Sequence, residues 1–290
     1  MDNFKGKVAV ITGAANGIGR AIAERCAHEG MDIVIADIEA AALYELEENL
    51  RSAGVRVLPA ITDVSKSYDM ETLAGKTLDA FGAVHLLFNN AGVAVEGVIW
   101  ENSLEDWEWV LGVNLWGVIH GIRTFTPIML KQDVACHIIN TASISGLFSD
   151  LGLGVYKVSK HGVVTLSETM YHELKKKKSK LNVSLLCPGP VNTKIADSDR
   201  NRTNGFRNQE FESPEVEKRM NMLRKDLQAG QSPSYTASII FDAIREEKFY
   251  ILTHSERNFA IKNRMEDILQ GRNPTNPWKP LTQEMEPESK

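Results

Sequence analysis

Val8-Ala9-Val10-Ile11-Thr12-Gly13-Ala14-Ala15-Asn16-Gly17-Ile18-Gly19 is the stretch on which the fold turns. Val8, Val10 and Ile11 are β-branched and favour a short buried strand. Ala21, Ile22, Ala23 and Cys26 begin a helical pattern directly after it. Between the two lies a glycine-rich turn. Glycine lets the backbone come close to a ligand, and a helix N-terminus offers unpaired N–H groups and a positive dipole end to a phosphate. Strand, glycine turn and helix in this order point to a dinucleotide site. The spacing Gly-x-x-x-Gly-x-Gly departs from the Gly-x-Gly-x-x-Gly fingerprint, and the same glycines also suit a plain tight turn. The rest of the chain has to decide.

Working outward, Asp32-Ile33-Val34-Ile35-Ala36-Asp37 reads as a second buried strand with an acid at its end, about 20 residues beyond the glycines. An acid there can accept from ribose hydroxyls; it can also cap a helix over 39–53. Residues 55–61 give a third strand, closed by Asp63 and Val64, with Ser65 or Ser67 expected to cap a helix over 70–81. A fourth strand, 84–88, runs into Asn89-Asn90-Ala91-Gly92. Ser103-x-x-Asp106 resembles a capping box and starts a helix running through Ile122, in which Asn114 is an amide on an apolar face. Strands at 135–140 and 181–187 follow. The first leads to Thr141-Ala142-Ser143 and the second stops at Pro188-Gly189-Pro190-Val191-Asn192-Thr193. Strand and helix alternate with no hairpin signal, so the sheet is expected to be parallel, with these motifs at strand C-termini lining one crevice.

Beyond Thr193 the character changes. Residues 194–231 are charged, with few large apolar side chains, and read either as a lid over the site or as a solvated insertion, with a helix over 214–229. Ser232 and Pro233 open a further helix to Arg245, and 249–252 is a last strand. Residues 1–254 are therefore expected to form a single α/β domain, doubly wound and Rossmann-type, with a parallel sheet of about seven strands. Residues 255–290 form a C-terminal extension with an amphipathic helix to about Leu269 and prolines at 274, 277 and 280.

Composition narrows the function. With 43% hydrophobic residues, 24% charged residues and a net charge of -5, the chain favours neither a nucleic-acid nor an anionic-membrane partner, and no apolar run reaches the roughly 18 residues of a membrane span. Cys26, Cys136 and Cys187 are odd in number, far apart and without metal-ligand spacing, as in a reduced cytoplasmic protein. The four lysines at 175–178 read as a solvated helix end. A small-molecule ligand and no metal are expected.

Gly154-Val155-Tyr156-Lys157-Val158-Ser159-Lys160 opens a long helical segment that continues to about Leu174. Residues four apart share a helix face, so the Tyr156 phenol is expected beside the Lys160 ammonium. A free tyrosine has a pKa of about 10, and a neighbouring positive charge favours its phenolate, which can exchange protons with an alcohol or carbonyl. The same spacing also occurs on solvated helix faces.

Taken in order, Thr12-Gly13-x-x-x-Gly17-x-Gly19, Asn89-Asn90-Ala91-Gly92, Asn114, Ser143, Tyr156-x-x-x-Lys160 and Pro188-Gly189 resemble the short-chain dehydrogenase/reductase family across residues 5–253. Ala142 replaces the first serine of the usual Ser-Ser pair. The resemblance implies Tyr156 as acid/base and Lys160 on the nicotinamide ribose, lowering the tyrosine pKa together with the positive nicotinamide ring. It implies Ser143 on the substrate oxygen and Asn114 maintaining a water relay to Lys160. It further implies Gly13, Asn16, Gly17, Ile18 and Gly19 on the pyrophosphate, Asp37 on the adenosine ribose, and Asp63 with Val64 on the adenine. Asn90, Ala91 and Gly92 would meet the neighbouring ribose, with Pro188, Gly189, Val191 and Thr193 toward the carboxamide. Asp37, with no cation at Asn16 or Ile38, implies NAD rather than NADP. The implied activity is hydride transfer with a hydrophobic secondary alcohol or ketone, in a homodimer or homotetramer. A reductase of thioester-linked ketones and a non-catalytic dinucleotide sensor are the alternatives. Leu147, Phe148, Leu151, Leu153 and Val155 suggest an apolar pocket, and Trp100, Trp107, Trp109 and Trp116 read as core and subunit-contact residues.

Overall fold

The computed structural model describes Met1, residues 3–202 and residues 214–278. One sheet of seven parallel strands runs through it: β1 (Val8–Thr12), β2 (Asp32–Asp37), β3 (Val57–Ile61), β4 (Leu86–Asn89), β5 (Cys136–Thr141), β6 (Leu181–Cys187) and β7 (Tyr250–Leu252). Their order is β3-β2-β1-β4-β5-β6-β7. Every residue of β1 and β5 is buried, as central strands covered by helices on both faces require. Successive side chains alternate between the faces. Ala9 and Ile11 join one core with Ile22 and Phe241, from α1 (Gly17–His28) and α8 (Pro233–Arg245). Val10 joins the other core with Phe125 and Met170, from α5 (Gly117–Gln132) and α6 (Gly154–Lys177).

Strand order reverses between β1 and β4, and a crevice opens there above the strand C-termini, which is where open α/β sheets bind ligands. The doubly wound parallel sheet read from the sequence is thus present, and β2 and β6 keep the bounds expected of them.

Three local expectations differ. The helix α3 (Ser67–Phe81) has Lys66 at its N-cap without a side-chain bond, because Ser65 instead turns its hydroxyl to Asp63 Oδ1 at 2.7 Å. Glu39, not Asp37, is the N-cap of α2 (Ala40–Ser52), although Asp37 Oδ1 accepts from Glu39 N. The helix expected to run through Ile122 is broken into α4 (Leu104–Leu111), a π-turn over Gly112–Trp116 and α5, with the buried Asn114 inside the π-turn. The capping box of Ser103 and Asp106 forms as expected. In the charged excursion, a 3-10 segment (Ile195–Asn201) and α7 (Pro214–Gln228) are described, and the extension contains α9 (Asn258–Leu269). Residues 203–213 of the excursion and 279–290 of the tail, with Pro280, lie outside the described residues.

Candidate active site

The glycine turn lets β1 and α1 approach the neighbouring strand-end loops closely. Gly13 has φ +65°, and a Cβ there would lie 2.7 Å from the Ala91 Cα; a Cβ on Gly19 would lie 2.0 Å from the Gly13 carbonyl oxygen. Only glycine fits either place. Thr12 ties the turn to the end of β4: its hydroxyl donates to the Phe88 carbonyl at 3.2 Å and accepts from the backbone N–H groups of Asn90 and Ala91.

Above the turn is a cleft of about 1060 Å³ including its open mouth. Gly13, Asn16, Gly17 and Ile18 line its floor, Asp37, Asp63 and Val64 one end, and Asn90, Ala91 and Gly92 the middle. Tyr156, Lys160, Pro188 and Thr193 line the other end. The Asp37 carboxylate accepts from Ala15 N at 2.9 Å through Oδ2 and from Glu39 N at 3.0 Å through Oδ1. Burial holds its carboxyl above the ordinary range, against the pull of those two N–H groups.

Tyr156 and Lys160 share the inner face of α6, with the ammonium nitrogen 5.6 Å from the phenol ring centre. Lys160 Nζ donates to the Thr141 carbonyl at 2.9 Å, and Ser143 lies close enough to the Tyr156 phenol to favour its charged form. In the protein alone, burial dominates both groups. It pushes Tyr156 up to about 12, against the pull of Ser143, and Lys160 down to about 8. The expected lowering of Tyr156 by Lys160 is therefore not what the protein alone shows: burial raises the phenol, and the pull against it comes from Ser143.

Not every expected contact faces the cleft. Neither Gly19 nor Ser143 is among the residues that line it. Gly189 is turned away: its N–H meets Thr253 Oγ1 at 3.3 Å and His254 Nδ1 at 3.2 Å. Val191 is buried and forms a bridge with Gln231. The Asn114 side chain is fully engaged, accepting from Val93 N at 2.8 Å and donating to Val93 O at 2.9 Å and Ser159 Oγ at 3.0 Å. Its amide thereby fixes α6 against the loop after β4.

The apolar wall is also made of other residues than expected. Phe148 is buried away from the cleft, Leu151 is 93% exposed, and Val93, Trp109, Val113, Ala142 and Ile195 line the space near Tyr156 instead. Trp109 is thus a wall residue, with the Arg202 guanidinium 4.5 Å from its ring centre. The segment Ile195–Asn201 crosses the cleft as a strap, which no motif announces: Arg200 Nη2 donates to Glu39 Oε1 at 2.8 Å, Asn201 Nδ2 to the same oxygen at 3.0 Å, and Ala94 N to Ser198 Oγ at 3.2 Å. Cations absent from the sequence around Asp37, Lys194 and Arg200, consequently border its end of the cleft, with Arg200 paired to Glu39.

Fold and cleft together define a Rossmann-type dinucleotide-binding protein with a buried Ser-Tyr-Lys cluster. The short chain dehydrogenase family model matches residues 7–204, and the chain belongs to that family of oxidoreductases. A CLA biosynthesis dehydrogenase/reductase of Lactiplantibacillus plantarum is 33% identical over 272 residues, 93% of this chain and 95% of that protein. A diacetyl reductase ((S)-acetoin forming) of Staphylococcus epidermidis is 36% identical over 191 residues, 66% of this chain and 74% of that protein. The crystal structure of a short chain dehydrogenase/reductase from Burkholderia phymatum, in complex with NAD, superposes with a TM-score of 0.94 at 47% identity, covering 96% of this chain and 100% of that one. No described helix is long and apolar enough to cross a membrane.

Proposed function

We propose that the protein transfers a hydride between NAD(H) and a hydrophobic secondary alcohol or ketone, with Tyr156 as acid/base. The observation that carries this reading is the convergence of Tyr156 and Lys160 at one end of a cleft whose other end holds the Asp37 carboxylate, with Ser143 beside the phenol. The cradle fits a dinucleotide: Gly13 and Gly17 have positive φ at the α1 N-terminus, and side chains on Gly13 or Gly19 would collide with the backbone that shapes it. The NAD complex of the Burkholderia phymatum protein and the ketone named for the Staphylococcus epidermidis relative point the same way.

Bound there, the nicotinamide dinucleotide supplies or accepts the hydride. Gly13, Asn16, Gly17 and Ile18 would hold the pyrophosphate, Asp37 the adenosine ribose, and Asp63 with Val64 the adenine. Asn90, Ala91, Gly92 and Lys160 would hold the second ribose, and Pro188 and Thr193 the carboxamide. Ser143 and Tyr156 would grip the substrate oxygen. A phenol raised to about 12 is protonated at neutral pH, so Tyr156 stands ready to donate a proton to a ketone oxygen as negative charge grows there. In the oxidative direction the same phenol must lose its proton, and the buried Lys160 charge supports the phenolate. Asn114 acts by fixing α6 through Val93 and Ser159. Val93, Trp109 and Val113 form an apolar wall for the substrate body.

The reading extends to a cytoplasmic enzyme, built as one domain over 1–254 with 194–231 partly covering the site. It pairs into a dimer or tetramer through the apolar helix faces over 107–129 and 155–174, and its partner is a small-molecule alcohol or ketone substrate. Purified protein assayed over alcohols and ketones of graded hydrophobicity should show reduced-nicotinamide absorbance changing with NAD(H) and kcat/KM rising with apolar size. Tight cofactor binding with no turnover on any of them would overturn the enzymatic reading. Light scattering should give a multiple of 32.3 kDa, and a monomer would defeat the assembly.

A further inference from the structure

The chain between β5 and α6 carries Ser143 and enters the Tyr156 helix through an unusual corner. Gly152 has φ +73° and Leu153, the residue preceding α6, has φ +51°. A leucine in the left-handed region is costly, and such a corner persists only where its surroundings hold it. Two side chains do so here.

The first is Lys157, the residue after Tyr156. It is buried, and its ammonium donates to the carbonyl oxygens of Asp150 at 2.9 Å, Leu151 at 3.3 Å and Gly152 at 2.5 Å, while pairing with the Asp150 carboxylate. A buried ammonium needs such a set of oxygens, and this set closes the corner onto the first turn of α6. The second is Trp278, in the extension 26 positions beyond the end of β7 (278 − 252). Its indole N–H donates to the other Asp150 oxygen, Oδ2, at 2.6 Å. Its ring stands edge-on to Phe148 at 4.8 Å, under the Arg257 guanidinium at 5.5 Å. Phe148 packs with Ile144, the neighbour of Ser143, and with Ala260 of α9. One carboxylate, Asp150, therefore joins the start of the Tyr156 helix to the C-terminal extension.

We propose that Trp278 and Lys157 are positioning residues which, acting through Asp150, hold the 143–153 segment so that Ser143 stays aligned with Tyr156. The extension is then part of the support of the reacting groups. The proposal rests on the acid/base reading of Tyr156 for its kinetic consequence, but its structural consequence is measurable without turnover.

Trp278→Phe keeps an aromatic ring beside Phe148 but deletes the indole N–H together with its five-membered ring. Hydrogen exchange of residues 144–153 should quicken by about tenfold while β1 and the Asp37 strand keep their protection. The kcat/KM for a ketone should fall by about tenfold, with cofactor affinity within about twofold of the parent, since small misplacements at a reacting centre are expensive. In an Asp150→Ala background the same substitution should add much less than in the parent, because the shared hydrogen-bond partner is gone and only the ring packing remains to be lost. Lys157→Met should reproduce the exchange change. Unchanged exchange at 144–153, additivity with Asp150→Ala, or cofactor affinity falling in parallel with kcat/KM would each overturn the proposal. Should Tyr156→Phe keep full turnover, the acid/base reading falls and the exchange result still decides the brace.

Discussion

The two sides of the cleft are held by contacts of different range. On the turn side, Gly13, Asp37 and Asn90 sit at the ends of β1, β2 and β4, and their places follow from parallel ladders whose partners are main-chain groups. On the strap side, the excursion and the extension hang on side-chain pairs far apart in sequence: Arg202 to Asp106 across 96 positions, Arg219 to Glu96 across 123, Trp278 to Asp150 across 128 and Arg200 to Glu39 across 161. The turn side resists change because its geometry belongs to the sheet. The strap side can be altered one side chain at a time, so substitutions there should separate substrate handling from cofactor handling.

The largest such effect should come from Arg202. It and Asp106 are almost wholly buried, at 7% and 6% side-chain exposure, and the guanidinium also covers the Trp109 ring. Removing one member of a buried pair leaves an uncompensated charge. Arg202→Met should therefore cost about 3–5 kcal/mol in denaturant unfolding, against nearly nothing for an exposed arginine. A loss below about 1 kcal/mol would show that the strap is not anchored there.

That contrast also explains what was legible in the sequence. The strands, their parallel arrangement and the glycine turn follow from local pattern: β-branched runs, 3.6-residue periodicity and glycines set between them. Tyr156 and Lys160 are readable for the same reason, since a helix fixes residues four apart. The strap over Glu39, the Trp109 wall and the Trp278 contact were not, because nothing local marks Arg200 or Asp150 as the partner of a residue more than a hundred positions away. The π-turn at Asn114 escaped because an apolar helical pattern looks the same with one extra residue in a turn. The sign of the Tyr156 shift escaped because spacing gives proximity and not burial.

On the turn side the expected break is in cofactor choice. The Asp37 carboxylate would face a 2'-phosphate as a like charge, and of the two cations that border this end, Lys194 and Arg200, the second is engaged by Glu39. Like charges in contact cost several kcal/mol, so kcat/KM should favour NAD over NADP by at least about 10²-fold. Asp37→Ala should narrow the gap mainly by weakening NAD use. Equal kcat/KM for both cofactors in the parent would contradict this.

A smaller effect belongs to the sheet itself. His137 in β5 is buried against Ser184 at 2.7 Å, and burial pushes it down to about 3. The native state keeps this ring neutral where the unfolded chain, at about 6.5, takes up a proton. Its contribution is therefore complete above about pH 6.5 and declines as pH falls toward 3. The stability of His137→Gln should fall less steeply than the parent's between these limits, and parallel slopes would refute the assignment.

The smallest effect should be that of the clasp over the adenosine end. Arg200 and Glu39 are 33% and 24% exposed, and such pairs contribute about 0–1 kcal/mol. Arg200→Ala should leave unfolding nearly unchanged while raising the cofactor dissociation rate by a few-fold, which stopped-flow fluorescence would read; a rate equal to the parent's would show that the strap does not restrain the cofactor.

The central claim is that the two sides meet in one proton-transferring group. Tyr156→Phe keeps the ring and removes the exchangeable proton, and should be assayed for ketone reduction beside a calorimetric titration of cofactor. Turnover should fall by at least about 10²–10⁴-fold with cofactor affinity little changed. Retention of more than about a tenth of parental turnover would show that another group moves the proton.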